Sequence, residues 1–376
     1  MRFAIIDLAN LFGRAQHVVR GDAFTKAGMT LHIIFRSLRK LYREMNVDHM
    51  VFCVEGRSWR YDYYPAYKAK RRLDRLNKSE REREEDEVFY EVQRQFVEYL
   101  AEKTRCTVLQ CDGVEGDDFV ARWIQLHPND EHFILSGDSD FVQLLAPNVT
   151  IIDGVSERII TIAGVKTFKG EECVFSICQS SGKIKVAGTV EEVARQHKRS
   201  EQNAKKKDPS YKPKEFKWEP PSPDEEWWKK ALFVKCIRGD VGDGIQSAYP
   251  GVRYYGSSKK TGIHEAWEDR KSGGYHWNNF MLQRWEKLVE TDGSSPVTKE
   301  VRVIDEYERN RLLIDLTAQP DEVKERMDAV IIAAIQKEPV DNVGVNFLRF
   351  CAANNLPALS KEAHDHAAYL NAGYVK

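Results

Sequence analysis

The sequence lacks long apolar runs and has few cysteines, and each absence excludes a class of protein. No stretch approaches the roughly 18 apolar residues of a membrane-spanning helix, so we expect no membrane contact. The N-terminal segment Met1–Asp7 is too short and too soon charged for a secretory signal peptide. The seven cysteines are an odd number, which favours free thiols in a reducing, cytoplasmic compartment.

Several motifs of common enzymes are also missing. There is no Gly-x-x-x-x-Gly-Lys-Ser/Thr loop and no Gly-x-Gly-x-x-Gly after a strand, so nucleotide hydrolysis and dinucleotide redox chemistry are poorly supported. We find no His-Glu-x-x-His and no supported Ser-His-Asp grouping. What is present is a chain of 376 residues, 42% hydrophobic and 31% charged, which indicates a globular protein with room for two domains.

The net charge is only −1, but the charges are unevenly distributed. Residues 57–78 carry eight Lys or Arg against two acids, and residues 195–217 carry nine against three. Between them, residues 115–140 carry seven acids against one Arg. Each stretch alone could be a solvated surface. Together they suit an enzyme that grips a polyanion and cuts it with metal ions held by carboxylates.

Hydrophobic periodicity predicts an α/β fold with a mostly parallel central sheet and helices on both faces. Short apolar strands are expected at 2–6, 49–54, 106–111, 132–135 and 149–152, and helices between them at 29–45, 79–103, 116–126 and 140–145. Ser79 and Glu82 form a possible capping box. We expect an α/β domain over 1–155, a β-rich insertion with a basic, proline-containing loop over 156–223, and a helical domain over 224–376. Helices in the last domain are predicted near 225–238, 278–290, 321–336, 341–354 and 360–371.

Acidic side chains follow four successive predicted strands: Asp7, Glu55, Glu115, Asp117, Asp118, Asp138 and Asp140. Because the carboxyl ends of parallel strands share one edge, these acids should converge and repel one another unless cations neutralise them. Oxygen ligands suit Mg²⁺ or Mn²⁺, and two such ions about 4 Å apart can activate water and stabilise the leaving oxygen of a phosphodiester. A single acid here could be a helix cap, but four strand ends behaving alike are harder to explain that way. The neighbours Asp117 and Asp118 point about 100° apart on a helix and could reach different ions.

A basic segment rich in aromatic residues follows Glu55 and covers residues 57–72. Cations that hold phosphates and rings that stack on bases suit single-stranded nucleic acid. The alternative is a surface helix whose aromatic rings pack inward. The candidate substrate-binding residues of this segment are Arg57, Arg60, Tyr64, Tyr67, Lys70 and Arg72.

At this point five motifs in a fixed order resemble the flap endonuclease/5′–3′ exonuclease family. They follow an early Asp and are Val51–Glu55, Tyr67–Arg71, Gly113–Asp118, Ser136–Asp140 and Ile237–Asp243. The stretch Ile304–Asp315 is most similar to the T-even phage branch, the phage ribonuclease H type. The resemblance covers residues 1 to about 245, and more weakly to about 316.

The resemblance implies a site for two Mg²⁺ or Mn²⁺ ions. Asp7, Glu55, Glu115 and Asp117 match acids around the catalytic ion. The acids of this sequence that match those around the second ion are Asp118, Asp138, Asp140, Asp240 and Asp243. Tyr67, Lys68 and Arg71 match the base of a helical arch, here about 57–87, through which a 5′ single strand passes. Lys68, Arg71 and Asp117 are therefore the expected catalytic residues.

The family also implies substrates and partners. It cuts DNA with a 5′ flap or overhang and RNA–DNA hybrids, and it removes RNA primers or flaps during replication. The helical C-terminal domain is expected to bind DNA. Replication proteins such as a single-strand-binding protein or a sliding clamp are possible partners of a monomer, which would act in the host cytoplasm if a phage encodes it.

Three departures and two rival functions accompany this resemblance. Glu55 stands where the family usually has Asp, Gly244–Gly262 is longer than the family's glycine hairpin, and residues 156–223 exceed the family core. A PIN-type ribonuclease shares acids at strand ends, but it is usually shorter and lacks the basic segment. A non-catalytic nucleic-acid-binding protein that kept the fold is the second rival.

Overall fold

The computed structural model describes residues 1–19, 21–292 and 295–375, and the chain divides into two compact units. The first unit comprises Met1–Tyr63, Arg72–Thr161 and Gln319–Lys376. The second comprises Tyr64–Arg71 and Ile162–Ala318. No helix in the described ranges has the length and apolar content that crossing a membrane requires.

The first unit is built on a sheet of six strands in the order β3-β2-β1-β4-β5-β6. They are β1 Arg2–Asp7, β2 His49–Cys53, β3 Thr107–Leu109, β4 Glu131–Leu135, β5 Val149–Asp153 and β6 Arg158–Thr161. The pairs among β1 to β5 are parallel and β6 runs antiparallel to β5. In the centre, Ile5 of β1 pairs with Val51 on one side and Ile134 on the other. Residues 3–6 are completely buried, as expected for a parallel strand that is covered on both faces.

The helices in chain order begin and end as follows. They are α1 Leu8–Val18, α2 Ala23–Glu44, α3 Arg60–Tyr63, α4 Ala69–Leu76, α5 Glu80–Lys103, α6 Gly116–Leu126, α7 Val190–Lys207, α8 Trp227–Arg238, α9 Ile263–Asp269, α10 Tyr275–Met281, α11 Val303–Ile314, α12 Asp321–Ile335, α13 Val343–Ala353, α14 Pro357–Ser360 and α15 Ala363–Leu370. Short 3-10 helices cover Ser139–Leu144 and Pro223–Glu225. The predicted capping box is confirmed, since Ser79 and Glu82 cap each other at the start of α5. Helix α2 begins at residue 23 rather than 29, because Asp22 accepts a hydrogen bond from the Thr25 backbone and caps it there.

The C-terminal helices belong to the first unit, which corrects the predicted domain 224–376. Phe35 of α2 contacts Phe347 and Phe350 of α13 edge-on, with ring centroids 5.2 and 5.9 Å apart. The His49 imidazole hydrogen bonds the carbonyl of Ala372 at 2.8 Å. The chain therefore returns after the second unit and completes the core that the N-terminal strands began.

The second unit combines a small antiparallel sheet with helices and a hairpin. The sheet consists of β7 Gly164–Thr167, β8 Glu172–Ile177 and β9 Ile184–Thr189, and the hairpin of β10 Arg284–Asp292 and β11 Ser295–Arg302. Its core is an apolar cluster that includes Phe233, Ile237, Trp267 and Phe280. The insertion predicted over 156–223 is therefore divided, since only residues from Ile162 onward belong to this unit.

Two secondary-structure predictions in this unit were wrong. The helix predicted over 278–290 is the end of α10 followed by β10, because exposure alternates from Arg284 to Leu288 with the period of a strand. The basic part of the insertion predicted over 156–223 as a loop contains helix α7, whose start is fixed by a capping box between Thr189 and Glu192.

Candidate active site

The carboxyl ends of four parallel strands carry the acids of the first unit. Asp7 ends β1, Glu55 lies two residues beyond β2, and Asp138 lies three residues beyond β4. The register places Asp7 opposite Cys53, and the preceding residue of β1 opposite Leu135, at the same edge of the sheet. Glu115, Asp117 and Asp118 arrive there on the loop after β3 and on the first turn of α6.

Asp117 is the carboxylate on which the negative charges of the other acids act most strongly. Burial raises its pKa well above the ordinary value, and nearby carboxylates raise it further. Those carboxylates are Asp7, Glu55, Asp138 and Glu115, in decreasing order of effect. The structure therefore brings together acids that the sequence places more than 100 residues apart.

Asp7 has two structural roles beside this charge. It caps α1 by accepting a hydrogen bond from the Asn10 backbone at 3.0 Å, and it accepts the Ser136 hydroxyl at 2.8 Å. Burial raises its pKa to about 6, and the charge on Asp138 adds to that effect while these hydrogen bonds oppose it. A buried carboxyl with this pKa is poorly stabilised by its own surroundings and is suited to bind a cation.

The segment after β4 is held by local hydrogen bonds. Asp138 caps the short 3-10 helix by accepting from the Asp140 backbone at 2.9 Å, and both carboxylates are half-buried. Gly137 lies against the guanidinium of Arg14, and any side chain at this position would collide with it. Arg14 in turn pairs with Asp153 at 2.8 Å. A side chain at position 137 would therefore displace the end of the flexible Arg14 side chain from this contact.

Arg60 forms the centre of a buried ion-pair network in the first unit. Its guanidinium donates to both oxygens of Asp118, at 2.9 and 2.8 Å, and to Glu115 at 2.6 Å. The Trp59 indole and the Gln319 amide also donate to Asp118, at 3.0 and 3.3 Å. Arg60 is 2% exposed and Asp118 fully buried. This burial disagrees with the predicted substrate contact of Arg60 and with the predicted metal coordination by Asp118, because the chain itself satisfies both groups.

The remaining acids fit a divalent cation in their chemistry. Within the described ranges, no three His, Cys, Asp or Glu side chains stand close enough to hold a metal ion as they are placed. However, the acids of the cluster offer carboxylate oxygens, the donors that Mg²⁺ and Mn²⁺ prefer. The pKa values of Asp7 and Asp117 are raised because the residues around them do not compensate their negative charges. Asp7, Glu55, Asp117 and Asp138 are the residues that would hold an ion.

In the second unit, Asp240 is compensated by a buried lysine. The carboxylate of Asp240 lies 2.9 Å from the Lys235 ammonium, and both side chains are less than one-tenth exposed. Lys235 and a weaker contribution from Lys183 lower the pKa of Asp240, against the opposing effect of burial. The predicted metal ligand therefore already has a cation as its partner.

The turn after Asp240 is joined to the segment Tyr64–Arg71 of the same unit. The Lys68 backbone donates to the carbonyl of Asp243 at 2.8 Å, and Arg71 pairs with the Asp243 carboxylate at 2.7 Å. Burial raises the pKa of Asp243, while Lys68 and Arg71 oppose that effect. Gly244 has φ +74°, and a side chain there would collide with the carbonyl of Ala66. A residue other than glycine at position 244 would therefore be strained.

The basic segment contains both exposed and buried residues. Lys68 has a left-handed backbone with φ +48°, and its ammonium lies 4.9 Å from the Tyr67 ring centre. Tyr67 is only 4% exposed, so its ring cannot stack on a base as predicted. Tyr64 is half-buried and donates to the carbonyl of Gly244 at 3.3 Å. The exposed cations of the segment are Arg57, Lys70, Arg71 and Arg72. Of these, Arg71 is paired with Asp243 and Arg72 lies over the Tyr61 ring.

Comparison with protein families agrees with this geometry. Residues 2–171 match the model of the 5′–3′ exonuclease N-terminal, resolvase-like domain. This range contains the strand-end acids of the first unit and the whole basic segment. Residues 2–171 are a 5′–3′ exonuclease domain. The nuclease class predicted from the sequence is thereby confirmed for this part of the chain.

Several solved structures have a fold similar to that of this chain over most of its length. The 5′-exonuclease of bacteriophage T5 with bound zinc ions has a TM-score of 0.52 and 17% identity, covering 89% of this chain and 100% of its own. A bacteriophage T5 protein crystallised with metal ions has a TM-score of 0.51 and 17% identity, covering 88% and 99%. The bacteriophage T5 flap endonuclease with DNA and metal ions has a TM-score of 0.50 and 16% identity, covering 98% and 100%. No curated protein sequence matches significantly. At these sequence identities the similarity shows the fold alone, and it confirms the predicted fold class.

Sequence reasoning missed the residues that compensate these acids. Lys235 lies in the apolar run Phe233–Ile237 of α8, and a lone charge in such a run could have indicated a buried ion pair. Ser58, Ser136 and Arg14 carried no comparable signal, because serines and arginines are common on any surface. Arg60 was noticed, but only as one cation in an exposed basic segment.

Proposed function

We propose that the protein is a structure-specific 5′ nuclease that hydrolyses phosphodiesters near the junction of a 5′ single strand and a duplex. It would act on DNA with 5′ flaps or overhangs and on RNA–DNA hybrids, and remove primers or flaps in replication. The observation that carries the proposal is the carboxylate cluster around Asp117 in a 5′–3′ exonuclease domain. The DNA and metal ions bound by the bacteriophage T5 flap endonuclease support the substrate and the cofactor.

The cofactor of the proposed reaction is a pair of Mg²⁺ or Mn²⁺ ions. Bound by the carboxylates, such ions supply the Lewis acidity and charge neutralisation that phosphodiester hydrolysis requires. Asp7, Glu55, Asp117 and Asp138 would hold the first ion, since repulsion among them is the strongest. We assign Asp140 to the second, because the carboxylate of Asp118 in the same unit is already paired with Arg60.

The chain's own cations would bind and orient the substrate. Arg57, Lys70 and Arg72 are exposed and would hold phosphates of the single strand. Lys68 would contact the phosphate that is cut, as the resemblance to the 5′ nuclease family implies, and its backbone is fixed by the Asp243 carbonyl. An ammonium that is positioned before the reaction stabilises developing phosphate charge without reorganising.

A cleavage assay with three substrates tests this proposal. A 5′-labelled flap duplex, the single-stranded flap alone and an unstructured RNA would be incubated with Mg²⁺, with Mn²⁺ and with excess EDTA. We expect cleavage near the flap junction with either ion and none in EDTA. Asp117→Asn should be inactive, whereas Asp112→Asn, an exposed acid on the loop before α6, is the matched control and should be fully active.

The same assay separates the rival functions. Preferred cleavage of unstructured RNA would indicate a PIN-type ribonuclease. No cleavage of any substrate with Mn²⁺, together with intact DNA binding, would indicate a non-catalytic binding protein. Full activity in excess EDTA would contradict the assignment of the carboxylates to metal ions.

A further inference from the structure

Helix α7 of the second unit has no part in the function proposed above. It is an 18-residue helix without a single buried residue, and it lies in the part of the chain that exceeds the family core. It packs on β8 and β9 through half-buried residues such as Val193, Ala194 and Ala204. The opposite face of α7 is therefore directed to solvent.

The solvent face of α7 is strongly basic. Arg195, Arg199, Gln202 and Lys206 lie within about 60° of one another around the helix axis, at 100° per residue. The three cations among them are exposed, and Lys198 and Lys205 lie beside them. The last-turn lysines also complement the helix dipole, but Arg195 and Arg199 lie too far from the C-terminus for that explanation.

Three acids near this face are used elsewhere, whereas a fourth, Glu191 in the first turn, is exposed. Glu201, the acid in the middle of the helix, accepts from the Tyr211 hydroxyl at 3.0 Å and from the Lys214 backbone at 2.6 Å. Asp208 accepts from the backbone and hydroxyl of Ser210, and Glu192 caps the helix. Among the residues that the structure describes, no carboxylate forms an ion pair with Arg195, Lys198, Arg199, Lys205 or Lys206.

The segment that follows α7 adds to the positive charge. The contacts of Glu201 hold residues 211–214 against the helix, and the Phe216 ring lies 5.8 Å from the His197 imidazole. Lys212 and Lys214 are exposed on this returning segment. We call the surface formed by the solvent face of α7 and this segment the α7 basic surface.

The chemistry of the α7 basic surface favours the backbone of a nucleic-acid duplex over other polyanions. From Arg195 to Lys206 the cations extend over about 16 Å of helix, and a duplex carries one phosphate charge per roughly 1.7 Å of its axis. No large apolar side chain of α7 is exposed, as insertion into a lipid surface would require. No Phe, Tyr or Trp lies on α7, and the rings of the returning segment are half-buried, Tyr211 bound to Glu201 and Phe216 beside His197. Binding of single strands normally uses exposed rings that stack on bases.

We propose that the α7 basic surface binds the phosphate backbone of duplex nucleic acid, independently of base sequence. The inference deepens the proposed function, on which it rests for the class of partner. It assigns duplex binding to residues 190–214, in addition to the single-strand binding proposed for the basic segment 57–72. Such contacts position a duplex and carry no sequence information, which suits a nuclease that recognises structure.

The test compares two triple variants with matched charge changes. Arg195→Gln/Arg199→Gln/Lys206→Gln removes two arginines and one lysine from the α7 basic surface. Arg36→Gln/Lys40→Gln/Arg43→Gln removes the same residue types from one exposed face of α2 and is the control. Glutamine is a good helix former, so neither helix should unfold, and circular dichroism verifies this.

Binding of a blunt 30-base-pair duplex would be measured by fluorescence anisotropy in EDTA between 50 and 400 mM NaCl. Each phosphate contact contributes about 0.9 to the slope of log K against log salt concentration. We expect the α7 variant to lower the slope by about 2 to 3, and to weaken binding at least ~10-fold at 0.1 M NaCl. The α2 variant should bind like the wild type.

Three results would overturn the inference. The first is an unchanged salt slope in the α7 variant. The second is a loss of duplex affinity in the α2 variant that equals the loss in the α7 variant. The third is a loss of affinity of the α7 variant for a single-stranded 30-mer that equals its loss of affinity for the duplex. Impaired binding to phosphatidylserine vesicles with unimpaired duplex binding would assign the surface to a membrane instead. Flap cleavage by the wild type in Mg²⁺ is measured in parallel, because cleavage with an unchanged slope rejects only the α7 basic surface. Absent cleavage with the expected slope change rejects only the proposed nuclease activity.

Discussion

Neutralising two adjacent acids, Asp117 and Asp118, should change the stability of the metal-free protein in opposite directions. Burial and the neighbouring carboxylates raise the pKa of Asp117, so its charge destabilises the fold at neutral pH. Asp118 instead makes two hydrogen bonds with the buried Arg60 guanidinium. We therefore expect Asp117→Asn to stabilise the protein and Asp118→Asn to destabilise it.

The structure sets the size of each effect. Removing one partner of a buried ion pair costs about 3–5 kcal/mol, and the Glu115 carboxylate that remains beside Arg60 places the loss near 3 kcal/mol. For a unit of about 200 residues this corresponds to a decrease in Tm of roughly 6–12 °C. Replacing a destabilising active-site group typically raises the free energy of unfolding by about 0.5–2 kcal/mol, and we expect a gain of this size for Asp117→Asn. This gain should shrink as pH falls, because the wild-type Asp117 then binds a proton and loses its repulsion.

Urea denaturation followed by circular dichroism in EDTA at pH 7.5 measures both variants. The exposed Asp112→Asn is again the control and should leave the free energy of unfolding unchanged. A change of the same sign in both variants would refute the reasoning. Destabilisation by Asp117→Asn would show that its charge is already compensated, and no effect of Asp118→Asn would show that the pair with Arg60 does not form.

Three further predictions concern other parts of the chain. Lys68→Ala should lower kcat at least 10-fold and change KM little, because a cation directed at developing charge acts mainly in the transition state; a rise in KM alone, in steady-state flap cleavage, would make Lys68 only a phosphate anchor. Lys235→Met should destabilise the second unit by about 3 kcal/mol in urea denaturation, and the double variant with Asp240→Leu should recover most of that loss, since a buried pair can be replaced by apolar groups; no recovery would argue against the pair. Burial lowers the pKa of His49 to about 4, so only the unfolded state binds its proton between pH 6.5 and 4, and stability falls as pH falls through this window. The stability advantage of the wild type over His49→Gln should therefore decrease by about 3 kcal/mol from pH 7.5 to 4, and a constant difference in urea denaturation at both pH values would contradict it.

Much of the first unit could be predicted because its signals are local. Apolar runs such as 2–6 and 49–54 correspond to strands, and the helix predicted at 116–126 has those bounds in the structure. Acids after strands could be placed at one sheet edge because parallel strands share their direction. Predictions were wrong at 278–290, where both a helical and a strand periodicity fit the same short stretch. They were also wrong at α7, where charged residues leave no apolar helical periodicity to detect.

The sequence by itself determined the α/β class, five strands and the helices α2, α5 and α6 of the first unit, and the position of the acids at strand ends, whereas helix α1 was not predicted. These properties depend on local periodicity and on the geometry of parallel strands, which neighbouring residues encode. Only the tertiary structure decided which charges are compensated. Arg60 with Asp118, 58 residues apart, and residues 319–376 with the N-terminal unit are long-range contacts that no local pattern contains. A charge looks alike in the sequence whether it faces solvent or a partner, because burial depends on the packing of distant segments.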